Sequence, residues 1–86
     1  MVLHLANMPR IEAVRSYPAG TLDRLSQLLV LGAPARPDPR RVSFYEVESD
    51  SDVYYVHISP ENGRVLLIGL WSKTAPVMRS AATQAA

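Results

Sequence analysis

The chain has 86 residues, a formal net charge of +1 and no cysteine. A chain of this size makes one domain with a thin stability margin, and the lack of cysteine excludes disulfides and thiolate zinc sites. The near-neutral charge argues against nucleic acid held by a basic field, while 48% hydrophobic and 20% charged residues are a globular composition, not a disordered one.

The opening Met1-Val2-Leu3-His4-Leu5-Ala6 has no basic region ahead of an apolar core, so it does not read as a secretory signal. No apolar run approaches the roughly 18 residues that would cross a bilayer, so no membrane association is expected and the cytoplasm is the expected compartment. Met8 is as suitable a start as Met1. Residues 1–86 read as one small domain, with 1–7 and 75–86 expected to be loose because they carry few anchoring residues.

Pro9 suits a first helical turn, and Ile11, Val14 and Tyr17 recur at a spacing that predicts a short helix, closed by Pro18 and Gly20. A second, stronger helix is predicted over Leu22 to Leu31. Thr21 stands as its N-cap, Leu22, Leu25, Leu28 and Leu29 form one stripe, and Gly32 is placed to close its C-terminus. Pro34, Pro37 and Pro39 lack backbone donors, so Ala33 to Pro39 reads as a stiff extended connector.

Three β-rich runs follow, Arg41 to Glu48, Val53 to Ser59 and Arg64 to Trp71. Ser49-Asp50-Ser51-Asp52 and Pro60-Glu61-Asn62-Gly63 are turn sequences between them. The expected fold is therefore α+β, one or two short N-terminal helices packed on a three-stranded antiparallel β-meander.

Turn lengths also predict the register. With Glu48 opposite Val53 and Ser59 opposite Arg64, one face collects Tyr45, Val47, Tyr54, Val56, Ile58, Val65, Leu67 and Trp71. The other collects Val42, Phe44, Glu46, Val53, Tyr55, His57, Leu66, Ile68 and Leu70. A bulge at Asn62-Gly63 would exchange the rows of the third strand. That strand is apolar on both faces, and one short helix covers only one of them. The expectation is a homodimer through Phe44, Tyr55, Leu66, Ile68 and Leu70, or through the third strand's exposed edge. If the first helix folds back over the second face, the chain is a monomer instead.

Three clusters contain residue types that can carry chemistry. His57 beside Glu46 and the tyrosines has the parts of a general base, but no nucleophile or oxyanion donor accompanies it, and a half-buried strand histidine is the better reading. Glu46, Glu48, Asp50 and Asp52 alternate as cation ligands would, yet lack the glycine and distal glutamate of a calcium loop; a solvated acidic turn is the better reading. Arg36, Arg40, Arg41, Arg64, Lys73 and Arg24, with Tyr54, Tyr55 and Trp71, contain the elements of a single-strand groove, against scattered surface arginine with the aromatics in the core. No cofactor and no metal are expected, and an enzyme is less expected than a binding protein.

The order helix, connector and three strands, with Tyr54-Tyr55-Val56 and Val65-Leu66-Leu67-Ile68-Gly69-Leu70-Trp71-Ser72-Lys73 in the last two, resembles the core of RelE/ParE-type toxins. The likeness covers Leu22 to Lys73 and rests on hydropathy and order. The chain departs from that family in lacking a strand before the helices and a dense set of basic residues. The resemblance implies an RNA-binding or RNA-cleaving domain, with Tyr54, His57, Arg64 and Lys73 as the contacts. The leading expectation remains a non-catalytic protein that binds protein, itself first.

Overall fold

A computed structural model describes residues 1–5 and 10–73. In chain order the elements are β1 (Val2–Leu3), β2 (Ile11–Ala13), α1 (Thr21–Leu31), β3 (Ala33–Pro37), β4 (Phe44–Glu48), β5 (Asp52–Ile58) and β6 (Val65–Ser72). The strands form one six-stranded sheet in the order β1-β3-β4-β5-β6-β2, with β2 parallel to β6 and every other pair antiparallel. This corrects the expected fold. The meander β4-β5-β6 is present, but it is the middle of a larger mixed sheet, and among the described residues α1 is the single helix.

Three segments account for the difference. Ile11 to Ala13 lies beside β6, with Ile11 opposite Val65 and Ala13 opposite Leu67. An unpaired strand edge leaves backbone donors and acceptors unmet, and this segment meets them, Val65 N–H donating to Arg10 O and Val14 N–H to Leu67 O. Ile11 and Ala13 pack against the core while Glu12 points away, a period of two where the sequence suggested three.

The proline segment is a strand because its prolines fall where no partner needs a donor. Ala35 N–H donates to Met1 O, Arg36 pairs with Glu46, and the β4 ladder begins only at Ala35. Val2 and Leu3, expected to be loose, pair with Pro34 and Ala33 and bury Leu3. The expectation of a loose end at 75–86 lies outside the described residues.

The helix follows its leucine stripe. Leu25 and Leu29 are fully buried, with Leu22 and Leu28 packed at their flanks. Thr21 is not the cap; Gly20, at φ 86°, precedes the helix, and the Thr21 hydroxyl donates to Pro18 O at 2.7 Å. Gly32 closes the other end with a positive φ of 93° and an N–H bonded to Leu28 O. A Cβ there would lie 3.3 Å from the Val2 side chain, so the position needs glycine for both conformation and space.

Against α1 the sheet presents Ala33, Ala35, Val47, Tyr54, Val56, Val65 and Leu67, all buried. The turn-based register holds at Glu48–Val53, Val47–Tyr54, Val56–Leu67 and Ile58–Val65. Beyond Leu67 it shifts by one residue, because Tyr55 pairs with Gly69 and Ile68 is the extra residue of a bulge. The bulge therefore lies at Ile68-Gly69, not at Asn62-Gly63. It reverses the end of β6: Leu70 turns to the core and Trp71 to the opposite side.

Candidate functional site

The helix covers one side of the sheet. On the other side the central strands β4, β5 and β6 present a half-buried apolar surface with an aromatic spine. Phe44 and Tyr55 stack with centroids 5.7 Å apart, and Phe44 also lies 4.8 Å from the His57 ring. Trp71, 40% exposed, extends the spine: its ring sits 3.5 Å from where a Cβ on Gly69 would be, and the Tyr55 Cβ borders the same spot. Leu66 and Ile68, half-buried and not packed against the helix-side core, complete the surface.

The segment from Asp38 to Ser43 straps one margin of this face. Asp38 Oδ2 accepts a hydrogen bond from the Tyr55 hydroxyl, and the Arg41 guanidinium lies 3.8 Å above the Phe44 ring, a cation–π contact worth about 0.5–1 kcal/mol at an exposed site. Ser43 enters β4 with a φ of 70°, rare for a residue with a side chain. The Tyr55 hydrogen bond, aided by the Arg40 N–H, holds the Asp38 carboxyl below its ordinary range, and the same bond raises the Tyr55 phenol.

The rim is charged but paired. Arg36 reaches Glu48 at 3.5 Å and Glu46 at 3.8 Å, Lys73 Nζ reaches Glu48 at 3.1 Å, and Arg64 reaches Glu12 at 3.0 Å. The Lys73 hydrogen bond keeps Glu48 below the ordinary carboxylate range. Exposed pairs of this kind contribute little to stability; here each of these three cations meets a carboxylate. No three histidine or acidic side chains gather as a metal site among the described residues, and none of their helices is long and apolar enough to cross a membrane.

Of the five apolar residues named from the sequence, Phe44, Tyr55, Leu66 and Ile68 share this face, and Leu70 does not, since the bulge sends it to the core. Trp71 takes its place, although the turn-based register puts that residue in the opposite row. The sequence signal for this exchange is Gly69, a strand glycine that marks a bulge or a close packing neighbour. Arg41 and Asp38 also belong to the face, and nothing local to their segment predicts it.

The four residues implied by the toxin resemblance do not converge. Tyr54 is 1% exposed in the core, His57 is on the open face, and Arg64 and Lys73 stand at opposite ends of β6. A strand of that length separates them by roughly 25–30 Å, and each cation already has a carboxylate partner. Two short strands, β1 and β2, also precede the helix, where the sequence suggested none.

Comparison of the chain with protein-family models, with curated proteins and with solved structures gave no match.

Proposed function

We propose that this is a non-catalytic binding protein whose working surface is the open face of the sheet, and that its first partner is a second copy of itself. The observation that carries the reading is the Phe44–Tyr55–Trp71 spine with Leu66 and Ile68, an aromatic and aliphatic surface in the middle of a sheet whose helix lies on the other side. Aromatic residues at the centre of a patch with a polar rim are the composition of protein interfaces. The rim adds self-complementary chemistry, because Arg36, Glu46, Glu48 and Lys73 supply both signs beside the face.

Light-scattering mass at low and high salt tests this. The expected result is a dimer that persists at high salt, since apolar burial is not screened, and that becomes monomeric in Leu66→Lys. A one-chain mass at all concentrations would overturn it.

An RNA-binding reading has one favourable observation, the adjacent Phe44 and Tyr55 rings with Arg41 above them, since bases stack on such rings. It would appear as binding of a single-stranded oligonucleotide that weakens steeply with salt and survives Leu66→Lys.

A further inference from the structure

The strap between β3 and β4 ends in Arg40-Arg41-Val42-Ser43-Phe44. Two arginines stand three and two places before a serine, and a large apolar residue follows it. A protein kinase with an acidic substrate groove reads this arrangement. Each guanidinium forms a two-pronged pair with kinase carboxylates, and the residue after the serine enters an apolar pocket. Of the serines in the chain, only Ser43 has arginine at both positions.

A run of charge on its own marks no site, and the segment must also be reachable. Pro39, Arg40, Arg41 and Val42 are all exposed, and Val42, of a residue type that usually seeks the interior, is 90% exposed. The ion pairs of the rim hold Arg36, Arg64 and Lys73, and neither Arg40 nor Arg41 is in them. Both guanidinium groups therefore stand at the surface beside a half-buried serine.

The backbone supplies the second, independent observation. Ser43 is the one non-glycine residue among those described with a positive φ, 70°, a conformation disfavoured for a residue with a side chain. The strap is fastened near its ends. Asp38 holds the Tyr55 hydroxyl and donates its N–H to Phe44 O at 2.8 Å, while Ser43 O accepts from Ile58 N–H at 3.0 Å. Drawing Ser43 out into an extended form relieves its backbone and breaks bonds only at the first residues of β4, where a strand opens most readily.

We propose that Ser43 is a phosphorylation site for a serine kinase that reads basic residues. The Ser43 hydroxyl oxygen attacks the γ-phosphorus of the ATP bound to that kinase. The new O–P bond forms as the bond to the β-phosphate oxygen breaks, ADP leaves, and the hydroxyl proton passes to the kinase's catalytic aspartate. The product carries about −1.5 to −2 charges at neutral pH, one residue from Phe44. It draws the Arg41 guanidinium from its place 3.8 Å above the Phe44 ring into a pair with the phosphate. The margin of the aromatic face thereby changes from cationic to anionic.

The test incubates the intact, folded protein with magnesium, ATP and the catalytic subunit of the cyclic-AMP-dependent serine kinase, a kinase of this specificity. One phosphate per chain is expected by intact mass, mapped to Ser43 by fragmentation. Ser43→Gly suits the positive φ, lacks the hydroxyl and should take up none. Arg40→Ala and Arg41→Ala, both at exposed positions, should each lower kcat/KM for the kinase about tenfold or more, the loss of a charge-assisted pair. In the phosphorylated chain the Arg41 side-chain protons should lose the ring-current shift that Phe44 imposes. No uptake by the folded chain, phosphate on Ser49 or Ser51 instead, or unchanged rates in both arginine variants would each overturn the assignment.

Discussion

The Tyr55 hydroxyl donates to Asp38 Oδ2, tying the middle of β5 to the segment that leads from β3 into β4. The bond closes a loop over the margin of the aromatic face, and this tie holds only while both groups keep their protonation states. Asp38 is lowered from 3.8, and its contribution is complete above that value and lost as pH falls through the folded-state value beneath it. Tyr55 is raised from 10.0, and its contribution is complete below that value and lost as pH rises through the folded-state value above it. In an alkaline titration read by tyrosinate absorbance, Asp38→Ala should move the Tyr55 step back towards 10.0. Its stability deficit should be constant through neutral pH and shrink at both extremes; a deficit that grows at either end would contradict the linkage.

Gly32 and Gly63 both have positive φ, at 93° and 70°, but only Gly32 is crowded, since a methyl group there would lie 3.3 Å from the Val2 side chain. Alanine at Gly63, with open space around it, should cost about 1–2 kcal/mol for the backbone alone. Alanine at Gly32 should cost more, because the added methyl also displaces β1. Urea midpoints of the two variants measure the difference, and equal losses would show that the Val2 contact is without consequence.

Leu25 and Leu29 are the helix side chains that the sheet buries completely. Replacing either by alanine should cost about 2–5 kcal/mol, the transfer term plus the cavity left behind. For a chain of 86 residues this is a large part of the whole stability. Leu31→Ala, at an exposed position on the same helix, should change stability by less than about 0.5 kcal/mol. Chemical denaturation of the three variants reads this contrast directly.

A chain beginning at Met8 would lack β1. It would lose the buried Leu3 and leave the Ala35 N–H without the Met1 carbonyl. Burial of one leucine is worth about 1.5–3 kcal/mol, so the shortened chain should unfold at clearly lower urea concentration and exchange the Ala35 amide quickly. Unchanged protection of that amide would mean that β1 contributes nothing to the edge.

The elements with local causes were legible in the residues alone. The leucine stripe from Leu22 to Leu29 dictates α1, and turn chemistry at Ser49–Asp52 and Asn62-Gly63 sets the β4–β5–β6 register as far as Leu67. That register is enough to put Phe44, Tyr55, Leu66 and Ile68 on one face. The remainder depends on partners distant along the chain. Val2–Leu3 and Ile11–Ala13 are too short to form strands alone and exist because β3 and β6 offer open edges. The proline segment is a strand because donors are needed only at its non-proline positions. The single inserted residue at Ile68 exchanges Leu70 for Trp71 on the open face, since a strand's side chains alternate and one extra residue reverses every position beyond it.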